Sequence, residues 1–493
     1  MILEKVFEGI EIIKKNVDFS LDCSGITENS RRVKAGFVFC ALKGERVDGN
    51  KYIGAALGSG AVCVLTETEP EGDVPFVLVA DARRVFSSLL SNFYSHPERS
   101  FKYTIAVTGT NGKTSTTVML KSIFDTAGYK VGLIGTMKYL IGDKEYNSES
   151  DGNHLTTPDP ENFYALLNLM REEKTEVLIM EASSHALAMD KLGDIVFDCG
   201  VFTNLTQDHL NFHGTLENYR DAKSKLFKRS KISLINDDDP VADYMKSEAV
   251  GEVKSYSINN IKSDFTAQNI RYLGAVGVDY VFLKKELIFR VFVGIPGTFT
   301  VYNSLAATAC AHLLGISNED ITAGLRALER VEGRVDRVDI EAPFSVIIDF
   351  AHTPDAMDNV LRTVRAFTSG KIITVFGSGG DRDRGKRPIM GALAAEKSDK
   401  VIVTSDNPRT EDRVKIIEEI MEGIHGRHSH VETEPDRTLA IRRAMDMAGR
   451  DDVVLLLGKG HEEYEIDENG KHPFSEREEV LKYYEVMKSE GRI

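Results

Sequence analysis

A chain of 493 residues, 42% of them hydrophobic and 28% charged, is long enough for about three domains that each bury a core. Its formal net charge of −15 excludes nonspecific binding to nucleic acid or an anionic membrane surface, so a polyanionic ligand must be held by local donors. No apolar run reaches membrane-spanning length, no signal segment is present, and the five cysteines (Cys23, Cys40, Cys63, Cys199, Cys310) show no paired metal-ligand spacing. The expectation is a cytoplasmic monomer with reduced core thiols. In chain order, strand-like runs at 36–42, 61–66 and 76–80 alternate with a helix-like segment at 81–94, giving a first block over 1–100. A second block, 101–328, carries strand-like runs at 103–107, 177–180, 198–203 and 231–235. The third, 329–493, repeats the pattern at 344–349, 371–376, 400–404 and 453–457. Such alternation predicts an α/β protein of three domains. The central domain has a doubly wound, mostly parallel sheet, the C-terminal domain is Rossmann-like, and the N-terminal α/β domain is smaller.

The most informative segment is Thr108-Gly109-Thr110-Asn111-Gly112-Lys113-Thr114-Ser115, which joins the run 103–107 to a helical pattern over 115–125. Strand, glycine turn, Lys-Thr and helix together form a phosphate cradle. Glycines let backbone N–H groups approach an anion, the helix N-terminus adds partial positive charge, Lys113 reaches the terminal phosphates and Thr114 can ligate Mg²⁺. The spacing is more compact than in the common loop, whose first glycine would stand at Val107.

Polar residues of interest follow the strands, where ligands of open parallel sheets sit. Glu181 in Glu-Ala-Ser-Ser-His offers a carboxylate for a hard cation. His209 lies in Thr-Asn-Leu-Thr-Gln-Asp-His, and Lys223 in Tyr-Arg-Asp-Ala-Lys. Read alone, that histidine is more often structural and that lysine part of a basic helix face.

Together these segments resemble the Mur ligases, ATP-dependent amide-forming enzymes of peptidoglycan precursor synthesis, over essentially the whole chain. The resemblance implies that Gly109 to Ser115, Asn303 and Arg334 bind ATP. It also implies that Lys113, Glu181, His209 and Lys223 carry the chemistry, and that Thr114, Glu181, His209 and Lys223 hold Mg²⁺, Lys223 as a CO₂-derived carbamate. Asp349 and His352 match positions at the domain junction. In the first block, Asn29-Ser30-Arg31 and the 43–50 loop, including Glu45 and Arg46, resemble segments that hold a UDP group. Ser30, Thr156, Thr157, Ser183 and Lys191 are the expected contacts to a UDP-muramoyl-dipeptide.

The third block discriminates within the family. Asp406-Asn407-Pro408-Arg409 resembles the motif of members that add meso-diaminopimelate rather than lysine. The two amino acids differ by a distal carboxylate, which a guanidinium binds through two parallel hydrogen bonds. Arg382, in a basic cluster, and Gly458 and Glu462, in Gly-Lys-Gly-His-Glu, match further diaminopimelate positions. Closure of the third block onto the second is expected to bring amine and acyl phosphate together. The alternatives are the lysine-adding member, a folylpolyglutamate synthase and a non-enzymatic nucleotide switch.

Overall fold

Three parallel-rich sheets carry the chain in the computed structural model, which describes residues 1–44, 47–146, 155–424 and 430–493. Glu45 and Arg46 lie outside the described residues. The first sheet has the order Lys14–Asn16, Phe76–Leu78, Cys63–Thr66, Phe37–Cys40, Gly25–Thr27, and only the edge strand Lys14–Asn16 is antiparallel. Helix Ala82–Phe93 follows it, started by Asp81, whose carboxylate accepts the Arg84 N–H.

The second sheet has eleven strands. Its parallel centre runs Phe265–Tyr272, Glu252–Ser257, Ser230–Asn236, Phe197–Phe202, Tyr103–Thr108, Val177–Glu181, Val131–Ile134. Val177–Glu181 is buried at every position and Tyr103–Thr108 at all but the first, as expected of strands covered on both faces. After Tyr103–Thr108 the chain builds one side of the sheet, then crosses to Phe197–Phe202 on the other. The phosphate loop therefore leaves a topological switch point, where open α/β sheets bind ligands. Helix Thr298–Leu313 is buried along most of its length because it packs against both this sheet and helix Lys113–Thr126.

Antiparallel strands extend both edges of this sheet. Val278–Lys284 and Leu287–Val293 close one side, and Tyr139–Ile141 and Lys144–Glu145 the other. Their patterns are less uniformly apolar; Leu287–Val293 alternates more and less exposed positions, with only Val291 and Val293 buried, which weakens the sequence signal.

The third sheet runs Asp336–Arg337, Ser345–Asp349, Val453–Leu457, Ile372–Phe376, Lys400–Thr404, Val431–Glu434, parallel except at Asp336–Arg337. A separate hairpin, Tyr464–Asp467 with Gly470–Pro473, stands beside its carboxyl ends. Arg437, 3% exposed, binds that end together: its guanidinium donates to Ser405 O and Leu457 O, each at 2.8 Å, and pairs with Glu476. Those carbonyls lie at the carboxyl ends of Lys400–Thr404 and Val453–Leu457, two inner strands separated by Ile372–Phe376.

Candidate active-site cleft

The carboxyl ends of the second and third sheets face one cleft of about 1250 Å³. Its phosphate-loop wall is Thr110 to Ser115. Gly112 has φ +87° and caps helix Lys113–Thr126; a Cβ there would lie 2.4 Å from Asn303 Oδ1. Gly109, at φ +149°, passes so close to Thr203 that a Cβ would meet Oγ1 at 1.9 Å. The loop geometry thus requires both glycines. Lys113 Nζ turns back onto Gly109 O at 2.9 Å and Thr110 O at 2.8 Å. Arg334 reaches Thr114 Oγ1 at 3.4 Å and lies over the Phe350 ring.

Glu181 is 1% exposed and held at both oxygens. Thr114 Oγ1 and Thr136 N donate to Oε1, each at 2.9 Å, and Thr136 Oγ1 donates to Oε2 at 2.8 Å. A hydroxyl and a carboxylate in contact beside a phosphate loop suit a hard divalent cation. Lys223 is 1% exposed, donates to Gly109 O at 2.8 Å and lies against the Tyr219 ring. Burial, reinforced by the nearby Lys113, pushes its pKa well below the usual lysine range. An uncharged amine is the form that reacts with CO₂, so this environment fits a carbamate.

His209, at φ +54°, has Nε2 3.3 Å from Asp208 Oδ2. Burial lowers its pKa despite that carboxylate, which leaves a neutral imidazole able to ligate. Among the described residues no three His, Cys, Asp or Glu side chains form a cation cage; Glu181 is engaged by threonines and His209 by Asp208. Mg²⁺ tolerates this, since it keeps waters and phosphate oxygens in its shell.

Thr156, Thr157, Ser183 and Lys191 line the adjoining wall. Thr157 Oγ1 donates to Glu181 O at 2.8 Å and accepts the Ser183 N–H at 3.0 Å, while Lys191 pairs with Asp159. Ser30 lies on the turn Ser30–Arg32 of the first unit, outside this lining. That unit touches the central one through Glu161, whose Oε1 accepts from Thr27 Oγ1 and Glu28 N.

From the third unit come Arg382, Asp406, Asn407, Arg409, Gly458 and Glu462. Pro408 is buried away from the cleft; its carbonyl packs against Gly380. The Arg409 side chain is half-buried, with Nη1 donating to Gly380 O at 2.8 Å. Gly458, at φ +114°, lies where a Cβ would be 2.6 Å from Asp406 Oδ2. Burial, together with Asp406, raises the Glu462 pKa. Burial would also raise Asp406, but Lys459 and Arg437 hold it below the usual range.

Sequence reasoning missed the residues that support these groups: Thr136 under Glu181, Asp208 beside His209, and Asp355, which accepts from Asn111 Nδ2 at 2.9 Å. Asp208 precedes His209 in the same motif, whereas Thr136 and Asp355 stand in no motif with their partners and only their placement two and six residues beyond a strand could have hinted at them.

Family models match at three places: the Mur ligase family catalytic domain at 22–94, the Mur ligase middle domain at 107–311, and the Mur ligase glutamate ligase domain at 333–460. The chain is 41% identical over 482 residues to the UDP-N-acetylmuramoyl-L-alanyl-D-glutamate–2,6-diaminopimelate ligase of Clostridioides difficile strain 630, covering 97% of this chain and 98% of that one. It is also 41% identical to the protein of the same name from Caldanaerobacter subterraneus subsp. tengcongensis, covering 94% of each. A solved structure of a ligase of that name superposes with a TM-score of 0.69 at 29% identity over 99% of both chains. The MurF ligase of Thermotoga maritima in complex with ADP shares the fold, with a TM-score of 0.62 at 19% identity over 96% of this chain and 99% of that one. With phosphate loop, buried lysine and paired guanidinia around one cleft, and a relative 41% identical along almost its full length, the chain belongs to the Mur ligase family.

Proposed function

We propose that this cleft joins meso-2,6-diaminopimelate to the D-glutamate γ-carboxylate of UDP-N-acetylmuramoyl-L-alanyl-D-glutamate, with ATP hydrolysed to ADP and phosphate. The chain is an ATP-dependent ligase of peptidoglycan precursor synthesis. One observation carries the choice of amino acid: Arg409 and Arg382 share a cleft wall with Glu462, and that wall opens toward the phosphate loop. Guanidinia suit a carboxylate and Glu462 suits an ammonium, so the wall fits a zwitterion with an acid at its far end.

Triphosphate oxygens would take over the donors that Lys113 now spends on Gly109 and Thr110 carbonyls, and Arg334 adds a second cation. Mg²⁺, held by Thr114 and Glu181 with His209 and a carbamate on Lys223, would offset the repulsion between substrate carboxylate and triphosphate. The carboxylate attacks the γ-phosphorus and ADP departs, leaving an acyl phosphate. The amine, once deprotonated, attacks the acyl carbon and phosphate leaves. Thr156, Thr157, Ser183 and Lys191 would orient the muramoyl-dipeptide so that its carboxylate faces the loop, and Ser30 would contact the UDP portion.

An amino-acid panel in an ADP-release assay, with product masses recorded, tests this reading. Diaminopimelate should exceed lysine by about 10⁴-fold in kcat/KM, because lysine would leave the Arg409 guanidinium desolvated and unmatched. Equal turnover of lysine would refute the assignment.

A further inference from the structure

Lys459 is completely buried, yet none of the steps above uses it. An apolar side chain of similar volume would fill its space without the desolvation cost of a charged group. Its Nζ donates to Asn407 Oδ1 at 3.0 Å and to Tyr464 O at 2.8 Å. Asn407 Oδ1 also accepts the Ile466 N–H at 2.9 Å, so both lone pairs of that oxygen are filled. Turning the amide over would set its NH₂ against two donors. Asn407 Nδ2 is thereby committed to Glu462 Oε2 at 2.7 Å, while the Tyr464 hydroxyl lies 3.4 Å from Oε1. The same hairpin reaches Arg409, whose N–H donates to Ile466 O at 2.9 Å while its backbone sits at φ +54°. One lysine therefore fixes an amide, docks a hairpin and orients a cleft carboxylate.

We propose that Lys459 is a positioning residue for amino-acid recognition: by locking the Asn407 amide and the 464–473 hairpin, it sets the Glu462 carboxylate that receives an ammonium of the incoming amino acid. The inference rests on the reading of this cleft wall as the diaminopimelate site. Five titratable groups face Glu462, beside the Asn407 amide that donates to it. Asp406 raises its pKa, Lys459 and Arg409 lower it, and Tyr464 and Arg382 stand beside it. Without Lys459, burial and Asp406 are less opposed, so Glu462 keeps its proton to a higher pH. Only the ionised carboxylate binds an ammonium, so the acid limb of activity moves upward in pH.

The test compares Lys459→Met and Lys459→Gln in the full chain, by steady-state kinetics against pH with each substrate varied in turn. Both variants should shift the acid limb of kcat/KM for diaminopimelate to higher pH. Lys459→Met should also raise the KM for diaminopimelate about tenfold, as expected when the buried hydrogen bond that fixes the Asn407 amide is lost, with the KM for ATP and for the muramoyl-dipeptide unchanged. Lys459→Gln still donates an N–H toward Asn407 and should recover most of that KM but not the pH shift. A common rise in all three KM values, an unmoved acid limb, or failure of both variants to fold would overturn the inference in favour of a packing role. If the unaltered chain does not use diaminopimelate, the functional reading fails instead, so the two failures are distinguishable.

Discussion

Lys223 and Lys113 converge on a single acceptor, the carbonyl oxygen of Gly109. Two cationic amines so close, one of them fully enclosed, are unstable as a pair, and the pKa of Lys223 falls accordingly. Under the proposed reading this amine, its pKa lowered by burial, would take up CO₂: Nζ would bond to the carbon, one N–H proton would leave, and the product would be anionic. Lys223→Ala should lower kcat by at least about 10²-fold, as for loss of one preorganised electrostatic group. Acetate or formate should restore part of the activity by placing a carboxylate in the vacated space. A variant that ligates at the full rate would exclude the carbamate. Composition could not reveal this, since Tyr-Arg-Asp-Ala-Lys reads as a solvated basic helix face; burial is what distinguishes Lys223 from the nearby basic residues Arg220, Lys225 and Lys228.

At the scale of elements, the phosphate loop is the part most completely written in sequence. Its strand is a mostly apolar run broken by Thr104, and its glycines stand where the backbone has positive φ. Gly112→Ala puts a Cβ against Asn303 Oδ1 and forces alanine into the left-handed region, costing roughly 1–2 kcal/mol before any contact is counted. The expected result is a lower melting temperature together with loss of most of the stabilisation that ATP confers in a thermal-shift assay. Wild-type nucleotide stabilisation would mean that the loop tolerates the side chain. Inner parallel strands such as Val177–Glu181 and Val453–Leu457 were equally legible because both faces are buried, whereas Val131–Ile134 and Glu252–Ser257 were not read from the sequence. Edge strands such as Leu287–Val293, and the hairpin Tyr464–Asp467 with Gly470–Pro473, were not, since their residues alternate or remain polar. That hairpin nevertheless braces the cleft wall proposed for the amino acid, through Ile466 and Tyr464.

Across the whole molecule, the second and third units already touch at the cleft. Asn111 Nδ2 donates to Asp355 at 2.9 Å, Lys138 pairs with Glu332 at 3.3 Å, and Gln207 bonds Asp383 at 3.3 Å. The first of these contacts links the phosphate loop directly to helix Pro354–Phe367. Asp355→Ala removes it and should enlarge the radius of gyration of the unliganded protein in solution scattering, with ATP and muramoyl-dipeptide restoring compactness. An unchanged radius would show that the arrangement of the units does not depend on this contact.

The amino-acid sequence by itself determined the alternating α/β layout, the phosphate loop and the residue types of the amino-acid wall, because these depend on local patterns of apolar runs, glycines and short motifs. Tertiary structure alone decided which of those residues meet. It buried Lys223 and Lys459, gave Glu181 and His209 separate partners, left Ser30 and Pro408 outside the cleft lining, and set Arg409 beside Glu462. Burial and hydrogen-bond partnership are properties of distant segments brought together, so no local pattern encodes them.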